Sequence, residues 1–267
     1  GDCMEKKQQA LFQVLNIIGF IMVLTLNALA NIIPINGKNT GELSDSIPNL
    51  FVPAGITFSI WSVIYTLLFI FTAYQGWNIG KRKEENVQFL GKIGYLWFIN
   101  ALANSFWILA WHYQLVELSM ALMVVIFVTL LGIYLKLGIG KSSETVTKQE
   151  RWFVQLGFSV YIGWITVATI ANVTAVTVVN RPVSSMEFLG ISDAIWTVLV
   201  IIVGAIIGGL VVLKRKDIGY GAVIIWAYLG IIIKRLDPKW IPQPTIVATV
   251  LVSILAITAI MVYAIIY

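Results

Sequence analysis

The sequence predicts an all-α fold, a polytopic integral membrane helical bundle with about eight transmembrane helices. Composition is the first reason: of 267 residues, 59% are hydrophobic and only 12% are charged, whereas soluble domains carry about 25% charged residues. The second reason is that the hydrophobic residues form long uncharged runs. Residues 51–77, for example, contain no charged side chain, and about 20 apolar residues are enough to cross a bilayer as a helix.

Eight such runs follow one another along the chain, separated by polar or charged segments. The loop between the third and fourth runs is so short that these two must pack side by side in antiparallel orientation. The predicted spans are, approximately, residues 11–33, 51–77, 93–113, 118–137, 152–178, 191–213, 218–233 and 246–267.

The basic residues of the loops predict the orientation of the bundle. Eight spans place both termini on one side, and that side collects 13 of the 18 Lys and Arg residues. Because cytoplasmic loops are enriched in Lys and Arg, we expect both termini in the cytoplasm, in a multi-pass protein of a prokaryotic cell membrane. The 13 residues are Lys6, Lys7, Lys81, Arg82, Lys83, Lys92, Lys136, Lys141, Lys148, Arg151, Lys214, Arg215 and Lys216.

Several functional classes lack the residues that they need. Cys3 is the only cysteine and His112 the only histidine, so disulfide frameworks and His- or Cys-rich metal sites are excluded, and we expect neither a metal nor a cofactor. The sequence has no paired catalytic carboxylates, Ser-His-Asp set or phosphate-binding glycine loop. We therefore expect no enzyme and no nucleic-acid binding, with the lipid bilayer as the main partner.

The third span carries a polar and aromatic stripe on one helical face. Asn100, Asn104, Trp107 and Trp111 stand at i, i+4, i+7 and i+11. An Asn that faced lipid would leave its amide groups unsatisfied, so the stripe must face protein or a cavity. Each Asn alone fits hydrogen bonding between helices as well as it fits a cavity lining. Two Asn and two Trp together favour a cavity.

The second span begins with a related face. Phe58, Trp61 and Tyr65 follow one another at i, i+3 and i+7, which places them on one side of a helix. Pro53 precedes them at the predicted membrane edge, on the outer side according to the loop charges. This face can supply a flat apolar wall.

The fifth span repeats the theme at the same spacing. Tyr161, Trp164, Ala168 and Asn172 fall at i, i+3, i+7 and i+11. The small residue allows close approach of another helix or of a ligand, and the amide supplies a polar contact. We expect the three faces to meet around one pocket, since aromatic walls with a few amides are typical of small-molecule sites.

The order of these faces resembles the TspO/MBR family, the tryptophan-rich sensory proteins and mitochondrial translocator proteins (peripheral benzodiazepine receptors). Members have five spans, and the second, third and fifth carry PPxWxFxPxWxxLY, QLxLNxxW and PYLAWxxFAxxLN. Asn100 takes the place of the Gln in the second of these motifs. The residues that fall along the three motifs are Pro53, Phe58, Trp61, Tyr65, Asn100, Asn104, Trp107, Tyr161, Trp164, Ala168 and Asn172.

The chain also departs from the family pattern. Val52, Gly55, Ser59 and Val160 stand where the family has Pro, Trp, Pro and Pro, and the first loop contains no aromatic residue. The resemblance covers about residues 11–178. It therefore implies two units: a TspO/MBR-like five-helix domain over residues 1–180 and an additional three-helix extension over residues 181–267.

The resemblance implies a membrane receptor or carrier with a cavity between the spans that opens toward the first loop. The ligand would be hydrophobic and partly polar, for example a tetrapyrrole such as a porphyrin, a sterol or an isoprenoid-like compound, and the role would be transport or sensing and regulation. The implied ligand-binding residues are Asn27, Pro53, Phe58, Trp61, Tyr65, Asn100, Asn104, Trp107, Tyr161, Trp164, Ala168 and Asn172.

The family is often dimeric, and the sixth span contains a GxxxG pattern at Gly204 and Gly208. This pattern predicts close helix packing, either within the chain or in a homodimer. Two other functions stay open at this point. A secondary transporter of a small solute fits the size of the bundle and the helix-breaking segment from Pro53 to Gly55. A membrane enzyme acting on a lipid or isoprenoid lacks an acid–base pair within the spans.

Overall fold

The computed structural model describes residues 6–81, 87–141, 146–180 and 187–267, and this part of the chain forms a helical membrane bundle. Seven of its helices are long and apolar enough to cross a membrane. They confirm the predicted all-α fold of a multi-pass integral membrane protein. Besides the helices, the described residues form one small antiparallel ladder between Glu187–Phe188 and Ile191–Ser192.

The helices are numbered α1 to α11 in chain order, and a short π-helical turn, Arg151–Gln155, joins α7 to α8 as one continuous span. Their bounds are α1 Lys6–Ile32, α2 Thr40–Ser46, α3 Ile60–Gly76, α4 Gln88–Ile93, α5 Leu96–His112, α6 Val116–Lys136, α7 Lys148–Glu150, α8 Leu156–Val179, α9 Asp193–Arg215, α10 Ile218–Leu236 and α11 Pro244–Ile266.

The predicted third span is shorter in the structure than in the sequence pattern. Gly94 ends α4 with a φ of 51°, in the left-handed region that favours glycine, and α5 begins at Leu96. At 17 residues, α5 is about 25 Å long, less than the roughly 30 Å of the hydrocarbon core. Most of its residues are buried among the neighbouring helices. The third predicted span is therefore a short inner helix and is not one of the seven long helices.

Consecutive long helices run in alternating directions. The Trp97 indole, at the start of α5, donates to the carbonyl of Asn16 in the first half of α1 at 3.1 Å. At the opposite end, the Asn180 amide donates to Glu117 at the start of α6, also at 3.1 Å. The chain therefore begins and ends at the same end of the bundle, which we call the basic end. The other end, which carries residues 33–59, is the roof end.

Most of the described Lys and Arg residues lie at the basic end, as the loop charges predicted. Arg82 and Lys83, two of the 13 residues counted for this end, lie outside the described residues, and so does Arg181, which was counted for the opposite side. The basic end therefore carries more positively charged side chains than the roof end.

The predicted polar loop at the roof end is folded. α2 begins with a capping box in which Asn39 accepts from the Glu42 amide and Glu42 accepts from the Asn39 amide, both at 2.9 Å. The chain then runs through extended residues into a 3₁₀ turn, Gly55–Ser59, before α3 begins. The second span consequently starts later than residue 51, and Pro53 precedes it.

The last three helices pack onto the others through α10. α10 contacts α8, and α9 and α11 contact α10. A Cβ atom at Gly204 would lie 2.5 Å from the Tyr228 hydroxyl, and one at Gly208 would lie 3.3 Å from Ile224. The GxxxG pattern therefore serves packing of α9 against α10 within this chain.

Candidate functional site

A cavity lies between α3, α5 and α8 at the roof end, and we call it the roof cavity. Its volume is about 40 Å³. It is therefore a narrow slot. Its walls are mainly aromatic side chains and alanines: Phe58, Trp61, Trp107, Trp111, Trp164, Val167, Ala168, Ala171, Asn172 and Ala175.

Two groups of aromatic rings form the walls. In the first, the Trp164 ring meets Phe58 edge to face at 5.8 Å and Trp61 at 6.2 Å, measured between ring centroids. In the second, Trp107 and Trp111 stack at 6.2 Å with 14° between their planes. Edge-to-face and offset stacked pairs stabilise one another beyond their buried area. The slot is therefore bounded by mutually supporting rings.

A chain of hydrogen bonds lies next to the cavity, beneath Trp61. The Asn27 amide donates to Asn104 at 2.9 Å, and Asn104 donates to the Tyr161 hydroxyl at 2.6 Å. The Tyr161 ring contacts Trp61 at 5.9 Å, and Tyr65 stacks on Trp61 at 5.5 Å. These four predicted site residues, Asn27, Asn104, Tyr161 and Tyr65, thus support the wall without lining the slot.

Asn172 lines the cavity and also holds other groups in place. Its amide oxygen accepts from the Trp107 indole at 3.5 Å and from the Ser119 hydroxyl at 3.2 Å. Its amide nitrogen donates to the Ala168 carbonyl at 3.0 Å. The side chain therefore fixes the position of the Trp107 ring.

Asn100 lies one turn before Asn104 but points to a different neighbour. Its amide nitrogen donates to the Ile126 carbonyl at 3.0 Å and to the Thr129 hydroxyl at 2.9 Å, both on α6. It is fully buried and outside the cavity lining. These contacts correspond to the interhelical alternative that the sequence left open.

Two buried hydrogen-bond donors of the lining have no acceptor among the described residues. They are the indole N–H groups of Trp111 and Trp164. A buried donor without a partner costs about 1–3 kcal/mol. Both rings line the same slot.

Residues 34–54 close the cavity from the roof end, and we call this segment the roof. Three polar and three apolar side chains of the roof line the cavity. The lining residues of the roof are Thr40, Ser44, Ile47, Asn49, Val52 and Pro53.

His112, at the end of α5, attaches one side of the roof. Its Nδ1 lies 3.0 Å from the Ile35 carbonyl and its Nε2 lies 3.2 Å from the Thr40 hydroxyl. The Asn36 amide donates back to the His112 carbonyl at 3.1 Å. Because a carbonyl only accepts, Nδ1 carries a proton, and the Thr40 hydroxyl completes the pairing of the ring.

The other side of the roof is attached to α8 and α10. The Asn49 amide donates to the Thr174 hydroxyl at 2.6 Å, and Asp45 forms an ion pair with Lys234. The Lys234 side chain is 3% exposed, and its ammonium lies 4.4 Å from the centre of the Trp240 ring. The C-terminal helices therefore help to hold the roof closed.

Seven of the twelve predicted site residues line the cavity: Pro53, Phe58, Trp61, Trp107, Trp164, Ala168 and Asn172. Sequence reasoning did not include Trp111 in the site, although it had placed this residue on the same stripe as Trp107. It also did not include α2. The capping-box spacing of Asn39 and Glu42 was the available signal for a folded segment there.

Taken together, these features define a multi-pass α-helical membrane protein with an aromatic cavity closed by its first connecting segment. The chain belongs to the TSPO-like protein family, whose family model matches residues 13–263. This match confirms the predicted family and includes the last three helices. Searches of curated proteins and of solved structures gave no match. The described residues contain no group of three or more His, Cys, Asp or Glu side chains suited to a metal ion.

Proposed function

We propose that the roof cavity binds a hydrophobic, partly polar ligand, and that the protein acts as a receptor or carrier of the TspO type. The observation that carries the proposal is the pair of unpaired indole donors, Trp111 and Trp164, in a mainly apolar aromatic slot. Small-molecule sites combine apolar walls with a few placed polar groups in this way. Family membership supports the same class of function.

The lining favours a particular chemistry of ligand. The ligand is flat or slender, because the slot lies between rings, and it carries an acceptor oxygen such as a carbonyl, carboxylate or hydroxyl group. A tetrapyrrole, a sterol and an isoprenoid-like compound all meet these two conditions. Only about 40 Å³ of the slot is wide enough for a water molecule, well below the roughly 300–1,000 Å³ of ligand pockets, so its walls must move apart to admit such a ligand. Because the slot is narrow, entry of a ligand requires movement of the roof.

The location of the site follows from the same proposal. The basic end faces the cytoplasm, in keeping with the distribution of Lys and Arg, and the roof faces the outer side. Residues 1–180 form the ligand-binding unit, and residues 181–267 support it through α10. Whether the bound ligand is carried across the membrane or sensed depends on how roof movement is coupled to binding.

The proposal is tested by ligand titration of four single variants in detergent or nanodiscs. Two of them change the cavity, and the other two are controls outside it. The probes are a porphyrin, a sterol and an isoprenoid alcohol. Trp111→Phe and Trp164→Phe keep an aromatic ring but remove the donor, so each should weaken the ligand that binds by up to about tenfold. Trp77→Phe and Trp152→Phe, which alter exposed rings at span ends, should leave its affinity unchanged. Absence of binding by all three probes, or equal effects of both pairs, would contradict the proposal.

A further inference from the structure

A second cavity lies at the basic end, between the end of α6, the segment that joins α7 to α8, and the turn from α9 to α10. We call it the basic cavity. It is wide and open, with a volume of about 680 Å³. Its lining contains four cationic side chains and one carboxylate: Lys141, Lys148, Arg151, Lys216 and Asp217.

The carboxylate of Asp217 accepts hydrogen bonds from other groups of the protein. It accepts from the Tyr134 hydroxyl at 2.8 Å, from the Ser159 hydroxyl at 2.6 Å and from the Tyr220 amide at 3.1 Å. The residue is buried, 7% exposed. These bonds join α6, α8 and the start of α10. Asp217 therefore builds the floor of the cavity. Its neutral hydrogen-bond donors leave its negative charge in place, so four cations and one carboxylate give the lining a net charge of +3 (4 − 1).

Three of the cations have no counter-charge within the part of the chain that the structure describes. Lys141, Lys148 and Lys216 form no ion pair with another described residue, and all three side chains are exposed. Several cations around one concave space attract an anion more strongly than any one of them does alone. The excess of cationic side chains in the lining favours an anionic ligand.

The position of the basic cavity identifies the source of this anion. Trp152 lines it and is 66% exposed at the start of the span Lys148–Val179. Exposed Trp at a span end is typical of the headgroup level of a bilayer. Apolar side chains, among them Leu156 and Ile218, also line the cavity and can contact the first part of an acyl chain.

We propose that the basic cavity binds the phosphate-bearing headgroup of an anionic membrane lipid. Lys141, Lys148 and Lys216 contact the phosphate, Trp152 lies at the headgroup level, and the apolar lining receives the adjoining chain. Basic cavities between membrane helices on the cytoplasmic side are suited to such headgroups. The proposal is independent of the ligand of the roof cavity.

The test compares lipid binding by the purified full chain and two double variants, using native mass spectrometry after incubation with equal amounts of phosphatidylglycerol and phosphatidylcholine. The unmodified chain should retain the anionic lipid preferentially. Lys141→Gln/Lys148→Gln should reduce that retention roughly 30-fold, since each cation near the surface contributes about a fivefold factor. Lys136→Gln/Lys214→Gln removes the same charge from exposed positions outside the cavity and should change it little. Thermal unfolding checks that both variants fold.

Three results would overturn the proposal. Equal loss in the two double variants would show general attraction to a basic surface, and equal retention of the two lipids would show no headgroup preference. A further measurement adds glycerol phosphate and inorganic phosphate as competitors of the lipid. If these soluble compounds bind the cavity while the anionic lipid does not, the ligand is a free phosphate compound.

Discussion

The two cavities of this bundle share one helical span but differ in chemistry. At the roof end, the span supplies Trp164, Ala168 and Asn172 to a narrow, neutral and closed slot. At the basic end, the same span supplies Arg151 and Trp152 to a wide, charged and open one. Under the two proposals, position along a membrane helix decides which ligand chemistry a cavity takes. Buried neutral groups select an apolar molecule with few acceptors, and exposed cations select a charged headgroup.

Filling the roof cavity should give the largest effect, because it should abolish ligand binding at one end and leave the other end unchanged. Ala168→Phe places a ring in the slot and should reduce binding of the roof-cavity ligand roughly 100-fold or more, because the ligand and the new ring compete for the same space. Retention of anionic lipid at the basic end should not change. Both quantities can be followed in the same preparation by native mass spectrometry.

Ala73→Phe is the matched control, since Ala73 is exposed on α3 outside the cavity lining. It adds the same ring and should affect neither ligand. Should Ala168→Phe bind the roof-cavity ligand as well as the unmodified protein does, that ligand does not occupy the slot.

Breaking the roof ion pair should give the next largest effect. Asp45→Asn leaves the buried ammonium of Lys234 without its counter-charge. A fully buried pair broken in this way costs about 3–5 kcal/mol, and we expect about 1–3 kcal/mol because the Asp45 side chain is 38% exposed. The roof should open more often, so dissociation of the roof-cavity ligand should become faster while lipid binding at the basic end stays constant. Stopped-flow dissociation and thermal unfolding measure the two effects.

The double variant Asp45→Asn/Lys234→Met removes the stranded charge together with its partner. It should recover most of the lost stability. A double variant as unstable as the single one would mean that the lost stability does not come from the stranded charge of Lys234.

The smallest effect on ligand binding should come from the contact between α10 and the entrance to α3. A Cβ atom at Gly230 would overlap the Thr57 hydroxyl and approach Pro53 to 2.9 Å. Gly230→Ala should therefore cost about 1–3 kcal/mol of stability and, by shifting Pro53, weaken the roof-cavity ligand severalfold.

Gly55→Ala is its control, because a Cβ atom at Gly55 would meet no atom within 4 Å. This variant should be close to neutral in thermal unfolding and in ligand titration. If Gly230→Ala is equally neutral for the ligand, the contact of α10 with Pro53 does not support the roof cavity.

The aromatic walls could be predicted from sequence because they depend on helical period alone. Trp107 and Trp111 are one turn apart on the same helix, and both line the slot. Asn100 and Asn104 have the same spacing, yet one bonds to α6 and the other to Tyr161 on α8. Helical period fixes which residues share a face, but the packing of the neighbouring helices decides what each of them contacts.

The roof and the short third span were less accessible to sequence reasoning. α2 is too short to show a hydrophobic period, and its attachments join it to residues far away in the chain, such as His112 and Lys234. The break at Gly94 depends on a positive φ, and an isolated glycine within an apolar run does not reveal its backbone conformation. Long-range contacts and local backbone conformation were therefore the missing information.

The central claim is that Trp111 and Trp164 donate their indole N–H groups to a ligand in the roof cavity. The most direct measurement is the nitrogen–proton NMR spectrum of the protein labelled with ¹⁵N at the tryptophan indoles, with each signal assigned by Trp→Phe substitution. Adding the ligand that binds should shift the signal of Trp111, of Trp164 or of both downfield, as a new hydrogen bond does, and leave those of Trp77 and Trp152 in place. A ligand that binds while both cavity signals stay unmoved would contradict the claim.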